Sequence, residues 1–110
     1  MRIAFLTLGC KLNYAETSTY ERGFTANGLE VVPWEEQADV YLINTCSVTE
    51  RAEKKCRNVI RKMHRVSPGA RIIVTGCYAE LRRNDLLAID GVSLVFGAKE
   101  KSRVVPDTME

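Results

Sequence analysis

The sequence predicts an α/β fold, a three-layer sandwich in which five parallel strands, in the order 2-1-3-4-5, lie between helices on both faces. Short runs of apolar and β-branched residues alternate along the chain with stretches whose apolar residues have helical spacing. The joints between these stretches are short, which favours right-handed crossovers between neighbouring parallel strands. Three of the strand-like runs lead directly into a loop that holds a cysteine, so the fold also indicates a candidate site.

The first strand and the first helix are predicted from the start of the chain. An apolar run at residues 2–8 indicates the strand. Asn13 is followed three positions later by Glu16, a signature of a helix N-terminus in which Asn13 is the cap. Asn27-Gly28 is typical of a helix end. We therefore expect a β-loop-α unit with a cysteine in its loop.

The next strands and the longest helix follow. A short strand is predicted at residues 29–32, and Pro33 places it at an edge of the sheet because proline cannot donate to a ladder. The third strand is predicted at residues 39–44. Ser47-Val48-Thr49-Glu50 has the spacing of a second capping box, which would open a long helix ending near Val66.

The remaining elements complete the sheet. Ser67-Pro68-Gly69 ends the long helix, and residues 71–75 form the fourth predicted strand. Short helices are predicted at residues 78–83 and 85–89, and the fifth strand at residues 92–96. The alternation is that of flavodoxin-like and Rossmann-like sandwiches, and the strand order puts strands one, three and four side by side.

Length and composition limit the class of protein. A chain of 110 residues has room for one domain with a modest core, and 45% apolar residues are ordinary for a globular protein. A net charge of +2 is too small to indicate a nucleic-acid partner by itself. No stretch approaches the ~20 apolar residues of a membrane helix. The N-terminal run is too short and too β-branched for a secretory signal. We therefore expect a cytoplasmic protein with no membrane partner.

The C-terminal tail is polar and carries no signal for a strand or a long helix. We expect one domain at residues 1–98 and, at residues 99–110, a linker towards a further domain.

Cys10, Cys46 and Cys77 are the three cysteines that follow predicted strands. Because the carboxyl ends of parallel strands meet at one edge of a sheet, we expect the three thiols to lie at the same edge. Soft thiolate ligands select iron–sulfur clusters or zinc, and a nearby helix N-terminus would favour the thiolate form. Gly9 and Gly76 directly precede two of these cysteines and permit close backbone approach.

Each cysteine also has a plainer interpretation, because free cysteines are often small buried hydrophobic residues. The chain would then be a cytosolic α/β binding module with packed cysteines. Chance placement of all three thiols at one topological position is the weaker explanation. Cys56 is excluded as a ligand, since it shares an apolar helical stripe with Ile60 and Met63.

A phosphatase-like enzyme is a third interpretation, because Cys77 and Arg83 have the Cys-x5-Arg spacing of a tyrosine-phosphatase loop. Such a loop wraps backbone amides around a dianion. No glycine lies between the two residues, and Glu80 would add a carboxylate beside the anion. This interpretation is therefore weaker than a metal centre.

The predicted long helix is basic from Arg51 to Arg65. A solvated face is the commoner explanation of such a helix, and a surface that contacts RNA phosphates is the alternative. His64, the single histidine, is expected to be solvated. The basic residues are Arg51, Lys54, Lys55, Arg57, Arg61, Lys62 and Arg65.

Three motifs together resemble those of a known family. They are Thr7-Leu8-Gly9-Cys10-Lys11-Leu12-Asn13, Asn44-Thr45-Cys46-Ser47-Val48-Thr49 and Val74-Thr75-Gly76-Cys77-Tyr78-Ala79. With them the chain, from about Met1 to Arg103, resembles the N-terminal domain of the radical-SAM methylthiotransferases. The Gly-Cys-Lys-Leu-Asn opening is most similar to the branch that methylthiolates threonylcarbamoyladenosine in tRNA.

The resemblance implies a cofactor, a reaction and a partner. In that family the cysteines matching Cys10, Cys46 and Cys77 bind an auxiliary 4Fe–4S cluster whose open iron would hold the sulfur or methylthio group that is inserted into a modified adenosine. The residues matching Asn13 and Glu16 lie close by. The partner would be tRNA, bound by the full-length transferase.

The resemblance also implies what this chain does not do. The radical-SAM motif Cys-x3-Cys-x2-Cys does not occur in it. We therefore expect S-adenosylmethionine and a second 4Fe–4S cluster to bind only in a further domain, and this chain to be inactive alone.

Overall fold

The computed structural model describes residues 1–9, 11–46 and 49–109, and in this part of the chain it confirms the predicted sheet. Five parallel strands are hydrogen-bonded in the order β2-β1-β3-β4-β5. Cys10, Ser47, Val48 and Glu110 lie outside the described residues. The strands are β1 Arg2–Leu8, β2 Glu30–Val32, β3 Val40–Thr45, β4 Arg71–Gly76 and β5 Val92–Phe96.

Helices follow β1, β3, β4 and β5 in sequence, whereas β2 leads directly to β3. In the described ranges none of them is long and apolar enough to cross a membrane. A 3-10 helix covers Ala98–Arg103. The α-helices are α1 Lys11–Ala26, α2 Glu50–Val66, α3 Cys77–Leu81, α4 Arg83–Leu87 and α5 Val104–Thr108.

The core has two layers, one on each face of the sheet. All six residues of β3 are buried, as expected of a central strand covered on both faces. Its alternating side chains divide between the layers: Tyr41 and Ile43 pack with the side chains of α2, α3 and α4. Val40 and Leu42 pack with those of α1 and α5. The helices thereby fix how the loops after β1, β3 and β4 leave the sheet.

The starts of both long helices differ from the prediction. Helix α1 begins at Lys11, so Asn13 lies in its first turn and is not the N-cap. Helix α2 begins at Glu50, with Thr49 as its cap, whose hydroxyl accepts a hydrogen bond from the Ala52 amide at 3.0 Å. The predicted cap Ser47 lies outside the described residues. Both predictions were wrong because adjacent polar residues offer several local capping patterns, and only tertiary contacts choose between them.

The segment after β5 folds back onto the domain. Val104 is fully buried in the core layer that contains Phe24. The Thr108 carbonyl accepts a hydrogen bond from the Arg71 guanidinium at 2.7 Å. Residues 98–109 therefore contribute to the folded domain, and a link from this segment to a further domain stays a prediction.

Candidate metal centre at the carboxyl edge of the sheet

Cys46 and Cys77 lie at the carboxyl edge of the sheet, on neighbouring strands. Cys46 directly follows β3, and Cys77 directly follows β4. The strand register pairs Thr45 with Gly76, so each of these cysteines lies one residue beyond a paired position. Cys46 is half-buried and Cys77 is exposed. Two of the predicted ligands are thus level with each other at the edge where ligands bind in such sheets.

Cys10 lies outside the described residues, but the elements on either side of it are described. Leu8, the last residue of β1, pairs with Thr45 of β3, and α1 begins at Lys11. The chain therefore enters and leaves the Cys10 position at the same edge as the other two cysteines. Among the described residues, which lack Cys10, no group of three His, Cys, Asp or Glu side chains could hold a metal ion.

Two glycines let the backbones approach each other closely at this edge. Gly76 has φ +105° and ψ −166°, a conformation essentially confined to glycine. A Cβ atom at Gly76 would lie 2.8 Å from the Thr45 amide nitrogen. A Cβ atom at Gly9 would lie 2.7 Å from Asn13 Cγ and 3.0 Å from Cys46 Cβ. Gly9 and Gly76, the residues just before Cys10 and Cys77, thus lie in close contact with the end of β3 and the residue that follows it.

A buried polar network lies beneath the cysteines. Asn13 Nδ2 donates to Asn44 Oδ1 at 3.0 Å and to the Thr45 carbonyl at 3.1 Å. Asn44 Nδ2 donates back to the Asn13 carbonyl at 3.0 Å and to the Thr17 hydroxyl at 3.3 Å. That hydroxyl is also 2.8 Å from the Thr7 hydroxyl. The network joins β1, α1 and β3 at this edge of the sheet.

Asn44 is the member of this network that sequence reasoning missed. It lies inside a strand that is otherwise apolar except for Thr45, and it is 1% exposed. A buried amide in a central strand needs partners, so its presence in an apolar run was a signal that a second polar group would pack against it.

A charged pair lies next to the network, on α1 and the 3-10 helix. Glu16 forms an ion pair with Lys101. The hydrogen bond to Glu16 raises the pKa of Lys101, and the nearby charges of Tyr20 and Cys77 act in the same direction. Burial raises the pKa of Tyr20 itself. The role of Lys101 was not predicted, because the tail was expected to be a linker.

The segment from Cys77 to Arg83, all of it described, does not form a phosphatase-type loop. Helix α3 begins at Cys77, and the Arg82 amide donates within it to the Tyr78 carbonyl at 2.9 Å. The Arg82 amide, used inside the helix, is therefore not available to a dianion. The Arg83 guanidinium is paired with Glu100. The arginine that such a loop would aim at the anion is therefore held elsewhere.

Cys56 is a packing residue, as predicted. It is 1% exposed and lies in the core beside Ile60 and Met63. Burial raises the pKa of its thiol from 9.0 to about 12. A thiol that stays protonated at neutral pH is a poor metal ligand.

The basic residues of α2 do not share one environment. Arg57 donates to the Tyr78 hydroxyl at 2.9 Å, and this hydrogen bond raises the pKa of Arg57. The Lys62 ammonium lies 5.3 Å from the centroid of the Trp34 ring. His64 is half-buried against Gly91, where a Cβ atom would lie 2.6 Å from its Nδ1, so the expectation of a solvated side chain was wrong.

One family model and several relatives of known name match most of this chain. The family model described as "Uncharacterized protein family UPF0004" matches residues 2–97. The chain is 44% identical over 103 residues to the threonylcarbamoyladenosine tRNA methylthiotransferase MtaB of Bacillus subtilis, covering 94% of this chain and 23% of that protein. It is 40% identical over 105 residues to the protein of the same name from Aquifex aeolicus, covering 96% of this chain and 26% of that protein.

A relative with a different name is also similar. The chain is 31% identical over 109 residues to the tRNA-2-methylthio-N(6)-dimethylallyladenosine synthase of Fervidobacterium nodosum, covering 99% of this chain and 24% of that protein. This chain therefore spans about a quarter of the length of the relatives that it matches.

Proposed function

This chain belongs to the uncharacterized protein family UPF0004, as the N-terminal domain of a methylthiotransferase, and from that premise we propose that it holds an auxiliary 4Fe–4S cluster through Cys10, Cys46 and Cys77. The transferase would act on tRNA in the cytoplasm and insert a methylthio group into threonylcarbamoyladenosine. The higher identity to the two proteins with that name, 44% and 40% against 31% for the dimethylallyladenosine synthase, supports this choice of nucleoside.

The observation that carries the cluster proposal is the strand register. Leu8, Thr45 and Gly76 are mutually aligned across β1, β3 and β4, and a cysteine follows each within two residues. Neighbouring strands are about 4.8 Å apart. Loops that leave three adjacent strands at the same level are separated by about the dimension of a small metal cluster. Packed cysteines have no reason to share that alignment.

The surroundings of Cys46 fit a cluster. The glycine at position 9 leaves open the space that a Cβ would fill against Cys46 Cβ, at 3.0 Å. Cys77 is exposed and Cys46 is half-buried, so thiolates at this edge are accessible to metal. A bound cluster with three protein ligands would supply one open iron for the sulfur or methylthio group. The residues of this chain would hold the ligand loops in place through the Asn13 and Asn44 hydrogen bonds.

The same proposal assigns no radical chemistry to this chain. Its four cysteines do not include the Cys-x3-Cys-x2-Cys motif. Cleavage of S-adenosylmethionine would therefore require a further domain with its own 4Fe–4S cluster. The purified chain, reconstituted and reduced, is expected to leave S-adenosylmethionine intact, and measurable 5′-deoxyadenosine formation would contradict this part of the proposal.

Anaerobic reconstitution with iron and sulfide tests the cluster directly. We expect about four irons per chain, as in a [4Fe–4S] cluster, with broad visible absorption. Replacing any one of Cys10, Cys46 or Cys77 with Ala should abolish or strongly reduce iron uptake. Cys56→Ala is the matched control, because it removes a thiol from the core and leaves the three proposed ligands intact.

The competing interpretation, a binding module with packed cysteines, makes the opposite prediction. Such a chain would take up no stoichiometric iron, and the four alanine variants would behave alike. Circular dichroism of each apo variant separates loss of a ligand from loss of the fold. A folded Cys77→Ala variant that still binds iron fully would remove Cys77 from the ligand set.

A further inference from the structure

We propose that a groove along one flank of α2 binds single-stranded RNA, an inference that rests on the proposed function for the class of substrate. We call this surface the Trp34 groove. It lies on the flank of α2 that faces the β2 edge of the sheet. Its lining residues include Trp34, Arg51, Lys54, Lys55, Asn58 and Lys62.

The charge of the groove is the first observation. Arg51, Lys54, Lys55 and Lys62 are exposed, and none of the described residues that line the groove is acidic. Such a row of cations neutralises phosphates and gives affinity that depends on salt and not on sequence. Arg51 and Lys54 also border a neighbouring groove that contains Glu50, Glu53 and Asp85. Lys55 and Lys62 do not line that groove, so their charges are the ones most available to a phosphate beside Trp34.

The opposite flank of α2 has a different composition. Arg61 and Arg65 line a second groove there, together with Asp85 and Asp90. Those carboxylates offset the arginine charges and would repel a phosphate. A third groove, near the start of α2, also mixes cations with the carboxylates of Glu50, Glu53 and Asp85. Of these three grooves, as the described residues line them, the one beside Trp34 has no carboxylate.

Trp34 is the second, independent observation. Its side chain is half-buried and packs against the core layer beneath α2, so the indole ring is held in place. On the outer side the Lys62 ammonium lies 5.3 Å from the ring centroid. A nucleobase that displaced this flexible lysine would lose a weak cation–π contact and gain stronger stacking on the indole ring. An aromatic ring among cations is the usual combination for single strands, whose bases are free to stack.

The groove lies along a helix that begins four residues after Cys46. Helix α2 begins at Glu50 and runs away from the edge that carries Cys46. From Arg51 to Lys62 the helix rises about 16 Å at 1.5 Å per residue. An RNA strand lying in the groove would thus have one end directed towards the edge that carries Cys46. The groove would guide the strand there without reading its sequence.

Trp34 is the single tryptophan of the chain, which makes it a direct probe. We would titrate the cluster-free 110-residue chain with a single-stranded RNA oligonucleotide of mixed sequence and with its duplex, at several salt concentrations. Single-stranded RNA should quench the Trp34 emission, and the duplex should bind more weakly without quenching. Affinity should fall with salt with a log–log slope of about −0.7 per phosphate contact.

Matched variants locate the site. Lys54→Ala combined with Lys55→Ala should weaken binding and flatten the salt slope by about 1.4, which is two contacts. Arg61→Ala combined with Arg65→Ala removes the same charge from the opposite flank of the same helix and should leave both unchanged. Trp34→Leu keeps an apolar contact with the core, and it should weaken binding about tenfold when affinity is read from anisotropy of labelled RNA.

The outcomes separate this inference from the cluster proposal. Equal losses in the two double variants, or unchanged Trp34 emission at saturation, would overturn the Trp34 groove as the RNA site. Cys77→Ala should bind RNA like the parent chain while losing iron. RNA binding without iron uptake would refute the cluster and leave the groove standing, whereas iron uptake without RNA binding would refute the groove alone.

Discussion

Replacement of Gly76 by alanine tests whether the backbone at the end of β4 is in close contact with the end of β3, at the edge of the sheet that carries Cys46 and Cys77. Gly76 has φ +105° and ψ −166°, and holding a non-glycine residue there costs about 1–3 kcal/mol. The added Cβ would also lie 2.8 Å from the Thr45 amide nitrogen, a backbone atom of the central strand that cannot move freely. Overpacking of this kind costs about 1–3 kcal/mol more. We therefore expect Gly76→Ala to lower the free energy of unfolding by about 4 kcal/mol.

Three other glycines separate the two contributions. Gly28 has φ +88° with no atom within 4 Å of a Cβ, so Gly28→Ala isolates the backbone strain, about 1 kcal/mol. Gly9→Ala isolates the clash, here with Asn13 and Cys46, and should cost about 1–3 kcal/mol. Gly69 has neither feature, and Gly69→Ala should change stability by less than about 0.5 kcal/mol.

Urea and thermal unfolding of the cluster-free chain measure these differences. With an unfolding entropy of about 2.1 cal/mol/K per residue, a chain of this length loses about 4 °C in Tm per kcal/mol. Gly76→Ala should thus lower Tm by roughly 15 °C, and Gly69→Ala by less than about 2 °C. If Gly76→Ala were no more destabilising than Gly28→Ala, the close approach of Gly76 to β3 would be refuted.

The remaining predictions concern three buried residues. Burial raises the pKa of the Cys56 thiol from 9.0 to about 12. Folding therefore favours the protonated thiol, and the free energy of unfolding falls as the pH rises from 9 towards 12. The parent chain should therefore lose about 1.4 kcal/mol more than Cys56→Ala between pH 7 and pH 10 in urea unfolding, and equal losses would contradict this. Val104→Ala should cost about 2 kcal/mol because the side chain is fully buried; an unchanged urea midpoint would mean that the tail does not dock. Asn44→Asp removes the amide that donates to the Asn13 carbonyl and should cost about 3 kcal/mol at pH 7. A neutral Asn44→Asp variant would show that the network is not needed for stability.

The strands and their order were predictable because local and topological rules agreed. Apolar runs bounded by turn residues are short-range signals, and right-handed crossovers leave few ways to order five parallel strands. The bounds of β1 and β5 match the predicted residues 2–8 and 92–96. The positions of Cys46 and Cys77 at one edge then follow from the strand order alone. A statement about the site could therefore be made from sequence, although its ligands stay a prediction.

The parts that failed depend on contacts between residues distant in sequence. Asn13 and Glu16 matched a local capping signature, yet their side chains bond Asn44, 31 residues away, and Lys101, in the tail. A pattern that spans four residues cannot distinguish local capping from a long-range contact, since the same polar side chains can make either kind of hydrogen bond. The docking of the tail was missed for a related reason: Val104, Val105 and Met109 are a short apolar set among polar residues, and only their contacts with the core layer that contains Phe24 bury them.

The possible functions of helix α2 could not be predicted from the sequence for the same reason. The sequence gives its charge but not the neighbours of each charge, and these decide what a cation can bind. Arg57 and Arg61 are both basic residues of one helix. The first donates to the Tyr78 hydroxyl, and the second lies among the carboxylates of Asp85 and Asp90. The described residues that line the Trp34 groove include no carboxylate, and its Lys55 and Lys62 do not also line the groove at Glu50 and Glu53. A surface that must hold a negatively charged strand needs cations whose charge is not already compensated, and on α2 that condition selects the flank leading to Cys46.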